Sequence, residues 1–355
     1  MNSQKSSRRA KRASARHSKK KKAVLIASIS LLSVVAVLFI GGGVYVTQLL
    51  GKINYTAPGV ESYDISVAPD PDDPDFEGEV VDDPVHINDA VASVEEIPVQ
   101  GNTKVITNIL LLGVETGGNK DYIGRSDSMI ILSIDRYHKT LKLISLLRDT
   151  YVNIPDKGYN KLNFSYASGG VNRLLATIEK NFRLKIDQYV AVDFDAFSSV
   201  IDALGGVDME LSDKEYDQVR WYSSTPSETA TPGVYHLNGE QGLYFSRIRA
   251  IGDDFARTGR QRRMITALMG KAKSMSFGTM NSVLNELLPK IYTNIQQNEI
   301  VDYLLKVPSY LKYEMNDTYF PSKDIAGKKF PGVGQAVVMN DPKTTVLELH
   351  HYIYG

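Results

Sequence analysis

Six arginines and no lysine fall within the twenty residues Tyr244-Phe-Ser-Arg-Ile-Arg-Ala-Ile-Gly-Asp-Asp-Phe-Ala-Arg-Thr-Gly-Arg-Gln-Arg-Arg263. Arginine stays ionised and presents a planar fork of donors that matches carboxylate and phosphate. Like charges at that density repel unless an anion sits among them. A solvated helix face laced by i,i+4 ion pairs is the alternative reading. Asp253 and Asp254 are the only acids in the stretch, too few to lace it, so a phosphate-type ligand is predicted.

Three further polar clusters border apolar runs. Glu115 follows residues 105–114 (VITNILLLGV). Gly124-Arg-Ser-Asp-Ser-Met129 leads into 128–134 (SMIILSI), which puts Asp127 at the start of a strand. Arg148-Asp149-Thr150 follows 141–147 (LKLISLL). In open α/β sheets, ligand sites gather where strands end. A charge at a strand end can also mark a solvent boundary, but several such ends beside an arginine stretch point to one site. Other chemistries find no support. The chain has no cysteine, hence no disulfide, thiol nucleophile or Cys-rich zinc site. The histidines (His17, His86, His138, His236, His350, His351) show no zinc spacing, and His236 is read as support for the helix after it. Ser246 lacks a neighbouring His–Asp pairing in sequence, which argues against a serine hydrolase.

The apolar runs that must position these residues suit buried strands, with further strands expected over 189–192 and 207–211. Helices are expected over 171–182, after Gly169-Gly170, and over 196–204, where Gly205-Gly206 stops the pattern. Asn238-Gly-Glu-Gln241 has the form of an N-capped helix start. A long helix over 257–275 follows, then helices near 282–291 and 299–306, an extended 337–339 and a last helix after Pro342. The polar segment 213–235, which carries the only tryptophan, Trp221, is expected to be a surface loop or small hairpin. Strands alternating with helices imply an α/β fold whose sheet is covered on both faces.

Zero net charge conceals a steep asymmetry along the chain. Residues 1–22 carry ten Lys/Arg and no acid, and 23–51 carry no charge at all. The second segment is long enough to span a hydrocarbon core of about 30 Å and too long for a signal-peptide core. No Lys or Arg occurs between Ile53 and Thr103, so the positive-inside rule places the N-terminus in the cytoplasm and the remainder outside. Membrane orientation accounts for the basic tail without nucleic acid. Residues 52–103, with thirteen acids and several prolines, predict an extended acidic stalk. Its Asp-rich run lacks the glycine and closing glutamate of a calcium loop. The folded domain is expected over 104–355.

The blocks quoted so far, taken in order with Asn108-Ile-Leu-Leu-Leu-Gly113, Lys161-Leu-Asn163, Phe194 through Asp202-Ala-Leu-Gly-Gly-Val207 and His236-Leu-Asn-Gly-Glu-Gln241, resemble the LytR-CpsA-Psr family. Tyr244 through Arg249 and Asp254-Phe-Ala-Arg-Thr-Gly-Arg-Gln261 complete the resemblance, which covers roughly residues 108–275. It implies a three-layer α/β/α sandwich with a central mixed sheet, preceded by a single transmembrane helix and holding a hydrophobic groove for a lipid tail. It also implies a phosphotransferase outside the membrane that moves a glycopolymer, such as teichoic acid or capsule, from a polyprenyl-pyrophosphate carrier onto peptidoglycan as a phosphodiester. Residue by residue, Asp127 matches a magnesium-binding aspartate, with Mn²⁺ a possible substitute for the metal. Arg125, Arg148, Arg247, Arg249, Arg257 and Gln261 match positions that hold the pyrophosphate, and Arg148 and Arg249 are assigned catalytic roles as well. Asp254 matches the acid suggested to activate the acceptor hydroxyl; among arginines it would be a modest base.

The chain departs from the family at the second metal position, where Glu115 stands in place of aspartate. Glutamate keeps the charge and hard oxygens but adds a methylene, and octahedral Mg²⁺ tolerates such shifts poorly. Tyr166 and the apolar face of 171–182 are candidates for the lipid groove, with ordinary core the preferred reading. Two alternatives stay open: hydrolysis of the lipid pyrophosphate at the same site, and a wall-associated, non-catalytic lipid-pyrophosphate binder or regulator.

Overall fold

The computed structural model describes residues 45, 47–55, 79–81, 84–114, 126–223, 228–231, 233–252 and 254–355. Contacts divide the chain into two compact units, 1–52 and 53–355. The basic tail 1–22 and nearly all of the expected span 23–51 lie outside the described residues. Among those described, no helix is long and apolar enough to cross a membrane.

The second unit is built on a six-stranded sheet: β1 (Ile106–Val114), β2 (Ser126–Asp135), β3 (Thr140–Leu146), β4 (Gln188–Asp193), β5 (Ile291–Thr293) and β6 (Glu314–Phe320). Their order is β5-β4-β1-β2-β3-β6. The β1–β4 and β3–β6 pairs are parallel and the other three antiparallel, so the sheet is mixed. The run 105–114 is mostly apolar because both faces of β1 are covered, and its Thr107 and Asn108 are buried as well. Leu110, Leu112 and Val114 join one core with Leu174, Ile178, Phe182, Leu349 and Ile353. Ile109 packs on the other side with Ile134, Leu141, Ile295 and Tyr310. Side chains alternate across a strand, so neighbouring positions serve opposite layers.

Four helices frame the site: α1 (Leu162–Phe182), α2 (Phe194–Ala203), α3 (Gly239–Arg247) and α4 (Asp254–Ala272). α1 begins at Leu162, ahead of the expected start at 171. Gly169 and Gly170 break its geometry, Gly170 at φ 61° where a side chain would be strained, so the glycines mark a kink inside a longer helix. Tyr166, Val171, Leu174, Ile178 and Phe182 are buried in the core against the sheet, as the core reading expected.

Two expectations are corrected. The segment 52–103 is not an extended stalk throughout: Val85–Ala92 is helical, and Val91, Val94 and Ile97 are buried in the folded unit. The acids there are interleaved with apolar residues whose burial outweighs the charge density. Residues 213–235 do contain the small hairpin that was one of the two forms expected of them, but a helix precedes it. They form a helix, Asp213–Tyr222, and a hairpin of Glu228–Thr231 with Val234–Leu237.

That helix starts at a capping box in which Ser212 and Glu215 serve each other's backbone N–H. Glu215 is 7% exposed and also accepts from Arg263 Nη1 at 2.8 Å. Burial pushes its carboxyl up, but the Ser212 backbone N–H and Arg263 outweigh burial and leave the pKa lowered. A lowered folded-state pKa contributes stability above the unfolded carboxylate range, and that stability fades as pH falls. Glu215→Gln is therefore expected to cost about 2 kcal/mol at neutral pH. The gap in Tm from the parent protein should close on acidification through the carboxylate range; a gap constant across pH would show that the charge contributes nothing.

Candidate functional site

The polar clusters that border the apolar runs converge at one end of the sheet. Val114, the last residue of β1, pairs with Ser126 of β2 on one side and Asp193 of β4 on the other. β3 runs antiparallel to β2, with Ser145 opposite Ile130, so the segment after β3 leaves from the same end. Arg148 and Asp149 occupy that segment. The Arg148 carbonyl accepts from Asn163 N at 3.0 Å, and Lys161 Nζ lies 3.2 Å from Asp149 Oδ1. The start of α1 is thereby tied to the arginine loop.

Arg148 is 6% exposed, with its Nε 3.3 Å from Asp149 Oδ2 and 3.4 Å from Asp254 Oδ1. Asp254 lies in the first turn of α4, where the helix dipole favours an anion, and forms an ion pair with Arg257 one turn on. Asp254 thus stands between two arginines and joins the loop after β3 to α4.

Beside this network is a cavity of about 250 Å³. Leu111, Ile130, Val190, Phe197, Leu243 and Ile265 supply apolar walls, and Ser246, Arg247, Arg249, Arg257 and Gln261 supply polar ones. Arg257 and Gln261 share a face of α4 at i,i+4. Arg247 closes α3, and its guanidinium lies 4.2 Å from the Phe194 ring centroid. The orientation of α3 is held at its start, where Gly239 N donates to Asp202 Oδ1 at 2.7 Å. A Cβ on Gly239 would collide with the Ser198 carbonyl and the Asp202 carboxylate, so only glycine lets α3 dock this closely on α2. Gln261 Oε1 is buried without a hydrogen-bond partner among the described residues. A pocket apolar on one side and cationic on the other suits an amphiphilic anion.

The arginine stretch divides into two sets. Arg247, Arg249 and Arg257 line the cavity. Arg260, Arg262 and Arg263 are structural. Arg260 Nη2 donates to the Ile248 carbonyl at 2.7 Å and the Ile251 carbonyl at 3.2 Å, holding the turn that carries Arg249. Arg262 bonds Asp317 at 2.6 Å and Ser145 at 2.9 Å, and Arg263 bonds Glu215. The acids that neutralise this second set come from distant parts of the chain, so charge counting within the stretch overstated its demand for a ligand. His236 Nδ1 lies 2.6 Å from Asp208 Oδ1 within the hairpin layer, a structural use.

Glu115 and Arg125 lie outside the described residues, as does the Asp127 side chain, although the Asp127 backbone heads β2 at the site end of the sheet. Hard carboxylate oxygens in a pair suit Mg²⁺, which takes one or two carboxylates together with substrate phosphates. Of Glu115 and Asp127, only the Asp127 backbone is described, at the strand end that borders the arginine network. Sequence reasoning assigned no role to Asp149, Lys161, Asp193 or Phe194. Asp193 was findable as an N-cap: its side chain accepts from Ala196 N at 2.7 Å.

Comparison with known proteins places this geometry. The LytR_cpsA_psr family profile matches residues 79–343. The polyisoprenyl-teichoic acid–peptidoglycan teichoic acid transferase TagU of Bacillus cereus is 32% identical over 276 residues, 77% of this chain and 80% of that protein. The solved structure of TagT bound to LIIa-WTA superposes with a TM-score of 0.58 at 26% identity, covering 70% of this chain and 90% of that one. The crystal structure of B. subtilis TagT gives 0.57 at 25% identity, covering 73% and 94%.

Proposed function

The chain belongs to the LytR-CpsA-Psr family, and from that premise we propose that it transfers a polyprenyl-pyrophosphate-linked glycopolymer, of the teichoic acid kind, onto peptidoglycan. The observation that carries this reading is the joint lining of one cavity by apolar side chains and by Arg247, Arg249, Arg257 and Gln261. The apolar walls suit the first units of a prenyl chain, and the guanidiniums suit the diphosphate at its head.

In this reading the acceptor hydroxyl oxygen attacks the phosphorus that bears the glycopolymer. The bond to the lipid-side phosphate breaks, polyprenyl phosphate leaves, and the hydroxyl proton passes to a base. Phosphoryl transfer asks little covalent chemistry of the protein; positioning and charge neutralisation dominate. Arg148, Arg249 and Arg257 stabilise charge on the phosphates. Asp254, between Arg148 and Arg257, is placed to take the proton. Asp127 with Glu115 would hold Mg²⁺, or Mn²⁺ in its place, and the metal when bound would supply further neutralisation of the diphosphate. The charge-free segment 23–51 and the ten basic residues ahead of it support a single-pass anchor with the catalytic unit outside the cell.

The test is direct. Purified full-length chain in detergent, given lipid-linked polymer, peptidoglycan and Mg²⁺, is expected to form the phosphodiester and to stop when the metal is chelated. Release of polymer phosphate without attachment would assign hydrolysis instead, and retention of the lipid without turnover would assign a binding protein.

A further inference from the structure

We propose that Trp221 and Tyr222 form a saccharide platform for the pyranose rings of the acceptor glycan, an assignment that rests on the transferase reading above. Trp221 is 80% and Tyr222 59% exposed. Their ring centroids lie 6.1 Å apart with planes 29° from parallel, and the Tyr222 ring stacks on Tyr244 at 4.1 Å and 25°. Single exposed aromatics are common on protein surfaces, but here three rings stack in series, so that the largely exposed Trp221 is backed by Tyr222 and Tyr244.

The series leads to the reaction site. Tyr244 lies on α3 one turn ahead of Arg247, whose guanidinium lines the cavity. The platform is also held in place. Trp221 and Tyr222 end a helix fixed by its capping box, by the fully buried Val219 and by the Glu215–Arg263 pair. Aromatic side chains with two rotatable bonds lose little entropy on contact.

The chemistry of the rim narrows the occupant. Asp217 and Gln218 stand four and three residues before Trp221 and so flank it on the helix surface. A pyranose ring offers a C–H-rich face to lie on an aromatic face and hydroxyls at its edge to meet such polar neighbours. A lipid tail would leave those neighbours unsatisfied, and the apolar cavity already provides for it. The arginines and the cavity engage the donor through its diphosphate and its lipid. An uncharged wall glycan finds no handle among them, and the aromatic platform on the Arg247 side supplies a neutral contact.

Trp221 is the only tryptophan, so its emission reads the platform without a label. Full-length protein in detergent is titrated with an uncharged β-1,4-linked N-acetylglucosamine hexamer. A saturable change in Trp221 emission is expected, with affinity lowered about tenfold in Tyr222→Ala, the scale of one lost aromatic contact. In the transfer assay, Trp221→Ala is expected to raise KM for peptidoglycan by a similar factor and leave KM for the lipid-linked donor in place. An emission unmoved by the hexamer, or an unchanged acceptor KM in Trp221→Ala, overturns the proposal. A rise confined to the donor KM overturns it too and hands the platform to the donor's own glycan. Should the unaltered protein carry out no transfer, the transferase reading fails, while the emission titration still decides whether the platform binds sugar.

Discussion

Arg148→Ala is expected to lower the rate of transfer by about 10³-fold or more, the scale on which arginines act in phosphoryl transfer, and to destabilise the protein as well. The two effects share one cause. Arg148 is 6% exposed and lies within ion-pair distance of both Asp149 and Asp254. Its removal leaves two carboxylates in a largely desolvated place with one cation fewer, and breaking a buried pair from one side costs about 3–5 kcal/mol. Lys161 still reaches Asp149 and Arg257 still reaches Asp254, which keeps the expected loss at the lower end of that range.

Arg249→Ala separates catalysis from folding. Arg249 lines the cavity but is exposed, so its loss should shift stability by no more than about 0.5 kcal/mol. Its charge faces the position assigned to the diphosphate, and the loss in transfer should reach about 10²-fold, the scale of one transition-state donor. The measurements are initial rates with lipid-linked donor and Tm for each variant. Full transfer retained by both variants would show that neither the buried Arg148 network nor the cavity-lining Arg249 belongs to the reaction site.

The sequence was most readable where both faces of an element are buried. β1 and β3 present mostly apolar runs because layers cover both sides of them, and such runs need no partner to be recognised. β6, Glu314-Met-Asn-Asp-Thr-Tyr-Phe320, was missed because it is an edge strand with most of its residues half-exposed, and its composition resembles a turn. The helix Asp213–Tyr222 was missed because it is polar almost throughout, although Ser212-Asp-Lys-Glu215 carried the capping-box signal. The site was readable as a set of residue types and less so as an arrangement. Nothing within the arginine stretch reveals that Glu215 and Asp317, 40 to 60 residues away in either direction, neutralise its second half. The walls of the cavity were likewise hidden. The apolar face of α1 is core, and the cavity is walled from the other side by α2, α3 and α4. Periodicity marks which face of an element is apolar but not which neighbour covers it.

Asp254→Asn is the sharper test of mechanism, and its expected result is a fall in kcat of about 10²- to 10⁴-fold, the usual contribution of a general base. Donor KM should not rise, because asparagine is isosteric, still offers a carbonyl oxygen to Arg148 and Arg257, and no longer competes as a charge with the diphosphate. Asp254 has a rival role as a tether that aims both arginines. A tether would survive the substitution with modest loss, and its defect would fall on donor KM. A base would not survive it, and the loss would fall on kcat even at saturating donor. The geometry also suggests how one carboxylate serves both uses in turn. Asp254 pairs with both Arg148 and Arg257. A diphosphate at the proposed site would compete for the same two guanidiniums with more charge, so its binding would draw them away and leave the Asp254 carboxylate open to the acceptor hydroxyl. Under that exchange the base is released only when donor is bound, which couples proton removal to the presence of the phosphorus to be attacked. Donor binding should therefore be tighter in Asp254→Ala than in the parent protein, since the internal competitor is gone, even as turnover collapses.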